Sequence, residues 1–157
     1  MKWLQCQILR NSIYTNNRVS KFKAHVTDHC DLCGEHVENA LTLFTSCEVS
    51  KKFWFDIKLF FLDFSHPVPL SRLQILFGVP DEPYDSVSNT AILIGKRVIW
   101  VSKFQNNIPN LNYFKKSLKD YLTVLSYCNE MKNMSPGFLD QWGDIYRVVA
   151  CSDGPRP

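Results

Sequence analysis

The segment that most constrains the fold runs from residue 110 to residue 133 and reads NLNYFKKSLKDYLTVLSYCNEMKN. Apolar side chains recur every three or four residues, at Leu111, Phe114, Leu118, Tyr121, Leu122 and Leu125. The opposite side carries Lys115, Lys116 and Lys119. A period of about 3.6 residues predicts an amphipathic helix with one buried face. Pro136-Gly137 ends this helix, and FLDQWGDIYRVVA predicts a last short one.

Most of the remaining chain also has helical spacing. Short helices are predicted from Trp3 to about Asn11, from Asn17 to His25 (with Val19, Phe22 and Val26 packed) and from Glu38 to Phe44. A further helix is predicted to start with Ser50 as its cap and to end before His66-Pro67, because a residue that precedes proline is pushed out of helical geometry. The run NTAILIGKRVIWVSKFQNN is apolar almost all round, and its length favours a buried helix over a buried strand.

These elements predict an all-α protein: a small irregular helical domain with a Cys-x-x-Cys loop near its N-terminal third. Residues 1–66 form the first helical segment, and residues 67–89, with four prolines between positions 67 and 88, form an irregular linker or loop. Residues 90–149 supply C-terminal helices that pack on the first segment. Residues 150–157 are predicted to be a disordered tail.

Composition limits the class of protein. A chain of 157 residues with 45% hydrophobic residues can build a core without disulfides, so its six cysteines are predicted to be reduced. The N-terminus lacks a secretory apolar region, and no stretch is long enough to span a membrane, which predicts cytoplasm or nucleus. A net charge of +3 is too small to indicate nucleic-acid binding by itself.

Three cysteines form a possible metal site. Cys30 and Cys33 are separated by two residues and followed by Gly34, and Cys47 follows the predicted short helix. A Cys-x-x-Cys-Gly turn is a common half-site for tetrahedral zinc. The alternative is that these three thiols are small buried hydrophobic groups, which is the role predicted for Cys6, Cys128 and Cys151.

Several motifs together resemble the zinc-binding region that follows the reverse transcriptase in LINE-type (non-LTR) retrotransposon ORF2 polyproteins of the L1/Tx1-like group. They are Gln7-Ile8-Leu9-Arg10, Thr15-Asn16, the Cys-x-x-Cys-Gly turn, Glu38, Leu43-Phe44, Cys47 and Phe53-Trp54, with Ile75-Leu76-Phe77-Gly78 and Asp140-Gln141-Trp142-Gly143 downstream. The resemblance implies zinc bound by Cys30, Cys33, Cys47 and a histidine about five residues before the last cysteine. Thr42 stands at that position, so His36 is the predicted substitute ligand and His29 a second choice.

The resemblance also implies weak binding of RNA or DNA through Arg10, Arg18, Lys21, Lys23, Lys51 and Lys52, and packing on a reverse-transcriptase core missing from this chain. The lysines of the long helix are either further phosphate contacts or simply its solvated face. No Asp-Asp pair, phosphate loop or nucleophile motif is present, which predicts a non-enzymatic end piece, and a Met1 inside the family's pattern predicts a truncated copy. The alternative function is a structural or protein-interaction module, or a decayed fragment without nucleic-acid activity.

Overall fold

The computed structural model describes residues 2–82, 86–131 and 137–151, and side chains at 2, 129–131, 137–141 and 151 are outside the description. The helices are α1 (Lys2–Leu9), α2 (Asn16–Val19), a π-helical turn (Thr42–Ser46), α3 (Glu48–Leu62), α4 (Arg72–Phe77), α5 (Val87–Phe104), α6 (Leu111–Met131) and α7 (Gly137–Cys151). Within these ranges the only β pairing is an isolated bridge between His29 and Val37. The predicted all-α fold is confirmed.

The core is built around the aromatic face of α3. Phe53, Phe60 and Phe61 are buried and surround Phe114 of α6, with ring centroids 6.2–6.4 Å apart in edge-on geometry. Such edge-to-face arrangements add a modest attraction to the area that the rings bury. The aromatic face of α3 therefore forms the centre of the core.

Helix α5 lies in the middle of the protein and is buried on most sides, as its apolar run predicted. It packs against α3 at Gly95, where the Trp54 ring lies so close that a Cβ atom would meet two of its carbons at 2.4 Å. The indole Nε1 of Trp54 donates a hydrogen bond of 2.8 Å to the carbonyl of Phe44. The contact between Trp54 and Gly95 therefore joins the first helical segment to the C-terminal helices.

The stretch predicted to be irregular contains a helix. Ser71 caps α4 by accepting a hydrogen bond from the Gln74 amide, and the Gln74 side chain accepts one from the Ser71 amide. This reciprocal capping box is encoded in Ser-x-x-Gln, but the flanking prolines obscured it. Ile75 and Leu76 are buried, so α4 contributes to the core.

Three local predictions are wrong. The helix predicted from Asn17 to His25 is only the single turn α2, and Phe22 is 83% exposed rather than packed. Ser50 lies inside α3, where its hydroxyl donates to the Leu43 carbonyl, and Cys47 takes the N-cap position. Cys6 and Cys128 are exposed. Neighbouring segments decided which side chains were covered at Phe22, Cys6 and Cys128, whereas the error at Ser50 lies in the position of the helix start.

Two further predictions fall at the C-terminus. Helix α7 extends to Cys151, and the rest of the predicted tail lies outside the described residues, as does the Cys151 side chain.

In the part of the chain that is described, no helix combines the length and apolar character that a bilayer crossing needs.

Candidate metal centre

Cys30, Cys33 and Cys47, together called the box below, meet at one point. The sulfur atoms of Cys30, Cys33 and Cys47 all lie within 4.8 Å of one another. A zinc–sulfur bond of about 2.3 Å would place the sulfurs of a tetrahedral site roughly 3.8 Å apart, so the cluster fits three thiolate ligands after a small contraction. Among the described residues no fourth His, Cys, Asp or Glu joins this cluster.

A tight turn holds Cys30 and Cys33 in place. The Gly34 amide donates to the Cys30 carbonyl at 2.7 Å, and Gly34 has a φ of +72°, which a residue with a side chain rarely adopts. The Cys30 amide donates to the His36 carbonyl at 2.8 Å and closes the loop behind the turn. The glycine and these backbone bonds explain why this sequence places two thiols side by side.

Cys47 is positioned by the start of α3. The hydrogen bond from Cys30 lowers the pKa of the Cys47 thiol, and the backbone amides of Ser50 and Val49 add to this effect against the opposing effect of burial. The same hydrogen bond raises the pKa of Cys30, and burial raises it further. The lowered pKa favours the thiolate at Cys47, which is the form that binds a metal, whereas the raised pKa favours the protonated thiol at Cys30.

Thr42, at the position where the resemblance implies a histidine, forms a reciprocal pair of hydrogen bonds with Asn39. Its hydroxyl oxygen accepts the Asn39 amide at 2.8 Å, while the Asn39 side-chain oxygen accepts the Thr42 amide at 2.9 Å. The hydroxyl also donates to the Val37 carbonyl at 2.8 Å. The threonine therefore stabilises the turn that leads to Cys47 and contributes no metal ligand.

Neither histidine near the box lies in the sulfur cluster. His36 is exposed and lies near the start of α3, where the pKa of Glu48 is lowered chiefly by Lys51 and to a smaller extent by His36. His29 is also exposed, with Nδ1 3.1 Å from an oxygen of Asp28. His36 as the fourth ligand remains a prediction.

A buried polar network links the box to α5. Lys103 and Glu38 form an ion pair whose side chains are 3% and 0% exposed. The ammonium group of Lys103 also lies 2.9 Å from Asn16 Oδ1 and 3.4 Å from Asp31 Oδ2, and Asp31 is the residue between Cys30 and Leu32. A buried charge requires partners, and Lys103 finds them in Glu38, Asn16 and Asp31. These contacts connect the cysteine turn to α5.

Sequence reasoning missed Lys103. A partial signal was present, since Lys96 and Lys103 are seven residues apart and therefore lie on one side of a largely apolar helix. Two lysines on the core side of a buried helix indicate buried polar partners, but the partners cannot be read from the spacing.

The six predicted nucleic-acid contacts around the three cysteines remain a prediction. All six side chains are exposed, but Lys51 pairs with Glu48 at 2.6 Å. Arg18 and Lys23 line one surface groove, and Asp31, which follows Cys30, lines it too. On α6, Lys116 is exposed, whereas Lys115 is half-buried and lies 4.9 Å from the centre of the Phe60 ring.

The fold and the site together define a small all-helical protein with a three-cysteine cluster suited to a metal. Residues 1–54 of the 157 match the model of a family described as zinc-binding in reverse transcriptase. This match confirms the predicted resemblance to a reverse-transcriptase zinc-binding region. The narrower assignment to LINE-type elements remains a prediction.

Two further comparisons add little. The chain is 34% identical over 58 residues to Mediator of RNA polymerase II transcription subunit 12 from Kluyveromyces lactis. That alignment covers 37% of this chain and 4% of the relative, too small a share to carry function across. No solved structure gave a significant match.

Proposed function

We propose that this chain is a non-catalytic, zinc-binding accessory segment of a LINE-type reverse-transcriptase protein, and that it contacts RNA or DNA. The observation that carries the proposal is the cluster of three sulfurs inside the region that matches the reverse-transcriptase zinc-binding family. Zinc would be held by Cys30, Cys33 and Cys47, with His36, His29 or a water molecule as the fourth ligand.

Zinc has a structural role in this proposal. It would join the cysteine turn to the start of α3, while the Lys103–Glu38 pair joins the same turn to α5. The basic segment from Arg18 to Lys23 lies beside the turn and is held through Asn16, which donates to the His29 carbonyl and to Asp31. The metal would therefore order a surface that carries positive charge.

Zinc stoichiometry tests the metal part. Protein purified without added metal is measured by elemental analysis and native mass spectrometry, beside Cys47→Ser and the control Cys128→Ser, which changes an exposed cysteine outside the cluster. We expect about one zinc per chain in the wild type and in the control, and a large loss in Cys47→Ser. Equal zinc contents in wild type and Cys47→Ser would refute the site.

A Thr42→His variant separates two accounts of the fourth ligand. If His36, His29 or water completes the site, the variant gains no zinc and loses stability with the Asn39–Thr42 hydrogen bonds. If only the variant binds zinc, the box has kept its shape and lost its donor, which favours a decayed or repurposed fragment.

A salt series tests the nucleic-acid part. Contacts to phosphates predict affinity for single-stranded RNA or DNA that falls linearly on a log–log plot against salt, with a slope of about −0.7 per phosphate contacted. Fluorescence anisotropy of a labelled oligonucleotide measures both the affinity and the slope. Absence of binding by zinc-loaded protein at low salt would refute this part of the proposal.

A second candidate function rests on an exposed stripe of α3. Phe55, Leu59 and Leu62 lie on one side of this helix and are 58%, 47% and 49% exposed. Apolar side chains at this spacing are suited to packing against another protein surface, here a reverse-transcriptase core. A zinc-loaded protein that binds no nucleic acid would favour this candidate.

A further inference from the structure

Three aromatic side chains from separate parts of the chain border one groove. The groove has a volume of about 680 Å³ and lies beside the cysteine turn. Tyr14 enters it from the loop before α2, Phe22 from the turn after α2, and Phe104 from the last residue of α5. Their exposures are 62%, 83% and 61%, so the core does not explain these rings.

Two cations without carboxylate partners share the groove. Arg18 donates a hydrogen bond to the Asn11 carbonyl, and neither Arg18 nor Lys23 forms an ion pair with any residue of the described ranges. The acidic group that lines the groove is Asp31, whose carboxylate already contacts Lys103. Lys103 also lines the groove and is shared between Asp31 and the buried Glu38, so three cations stand against two carboxylates and the net charge is +1.

We infer that this groove binds a short stretch of single-stranded nucleic acid. The bases stack on Phe22, Tyr14 and Phe104, and the backbone phosphates contact Arg18 and Lys23. Exposed aromatic faces beside unpaired cations match both parts of an unpaired strand, since every base offers a face for stacking and every linkage a negative charge. A duplex offers no free base faces to the rings.

The inference rests on the proposed nucleic-acid function and makes it more specific. Phosphate contacts alone would bind a duplex, which has the higher charge density, at least as tightly as a single strand, and would depend on lysines and arginines only. Stacking adds a contribution that is insensitive to salt and is lost when a ring is removed. These two dependences can be measured separately.

The matched variants are Phe22→Ala and Phe77→Ala in the full chain loaded with zinc. Both change an exposed phenylalanine, 83% and 62% exposed, but Phe77 lies at the end of α4 and does not line the groove. Affinities are measured by anisotropy with labelled single-stranded RNA, single-stranded DNA of the same sequence, and the corresponding duplex.

We expect Phe22→Ala to weaken single-strand binding roughly 5- to 100-fold with an unchanged salt slope, and Phe77→Ala to match the wild type. Lys23→Gln should instead make the salt slope shallower by about 0.7. A 2-aminopurine base in the oligonucleotide should lose fluorescence when it binds the wild type and regain it with Phe22→Ala. Comparing the RNA with the DNA identifies which strand is preferred.

Several results would overturn the inference. If the wild type binds single strands but Phe22→Ala and Phe104→Ala behave like Phe77→Ala, the groove is wrong while the proposed function stands. Duplex affinity equal to or higher than that for single strands, or a change of oligomeric state as the only effect of Phe22→Ala, would also refute stacking. Absence of any binding by the wild type would remove the proposed function together with the groove.

Discussion

Replacing Gly95 with alanine should destabilise the protein, although alanine is the better helix former. The helix propensity of alanine is about 1 kcal/mol more favourable than that of glycine. Against this, the new Cβ would lie 2.4 Å from Cη2 and Cζ3 of Trp54 and 3.3 Å from Cδ1 of Ile57. Overpacking of this kind costs about 1–3 kcal/mol, or more when the neighbour cannot move.

Trp54 has little freedom to move away. Its side chain is buried, and its Nε1 donates to the Phe44 carbonyl at 2.8 Å, so a displaced ring would lose a hydrogen bond worth about 1 kcal/mol. We therefore expect Gly95→Ala to lower the free energy of unfolding by about 1–3 kcal/mol. For a chain of this size each kcal/mol corresponds to about 2–4 °C in Tm.

Urea unfolding followed by circular dichroism and tryptophan fluorescence measures this change, with and without zinc. The matched control is Gly143→Ala in α7, where a Cβ would meet nothing within 4 Å. The control should gain about 0.5–1 kcal/mol from helix propensity alone. A Gly95→Ala protein as stable as the wild type would refute the close packing of α5 on α3.

Two further predictions concern buried lysines. Burial lowers the pKa of Lys96 from 10.5 to about 7. Between these pH values the unfolded chain binds more protons than the folded one. The free energy of unfolding should therefore rise with pH, by up to about 1.4 kcal/mol per pH unit. Denaturant titrations from pH 7 to 10 should show this rise in the wild type relative to Lys96→Met, and parallel curves would contradict it. Lys103→Met should cost about 3–5 kcal/mol because it leaves Glu38 buried without its cation, and adding Glu38→Gln should restore part of the loss. A double variant no more stable than Lys103→Met would show that the ion pair is not the cause.

The long helices could be predicted because their local pattern and their packing agree. Helix α6 follows its 3.6-residue period, and the aromatic side of α3 is the side that is buried. The cysteine turn was also predictable, because Cys-x-x-Cys-Gly specifies a backbone conformation through the glycine. These features depend on neighbours in sequence, and the sequence was sufficient to predict them.

Short elements were predicted poorly because their local preferences are weak. Helix α2 is a single turn whose first residue, Asn16, is held by Glu38 and Asp31 rather than by its own propensity. Phe22 has the spacing of a core residue, but it is 83% exposed, and no segment within the described ranges covers it. The sequence predicted apolar periodicity at these positions and could not predict which rings would remain exposed.

The sequence by itself determined the helical class, the positions of the main helices and the three cysteines that could bind a metal. Only the tertiary structure decided that the three sulfurs meet, that Thr42 bonds to Asn39, and that Lys103 reaches Glu38 and Asp31 across 65 and 72 positions of chain. Helical periodicity and turn geometry arise from interactions between residues a few positions apart. Buried ion pairs and grooves arise from segments that are distant in sequence, and their energies depend on exclusion of water by the assembled core.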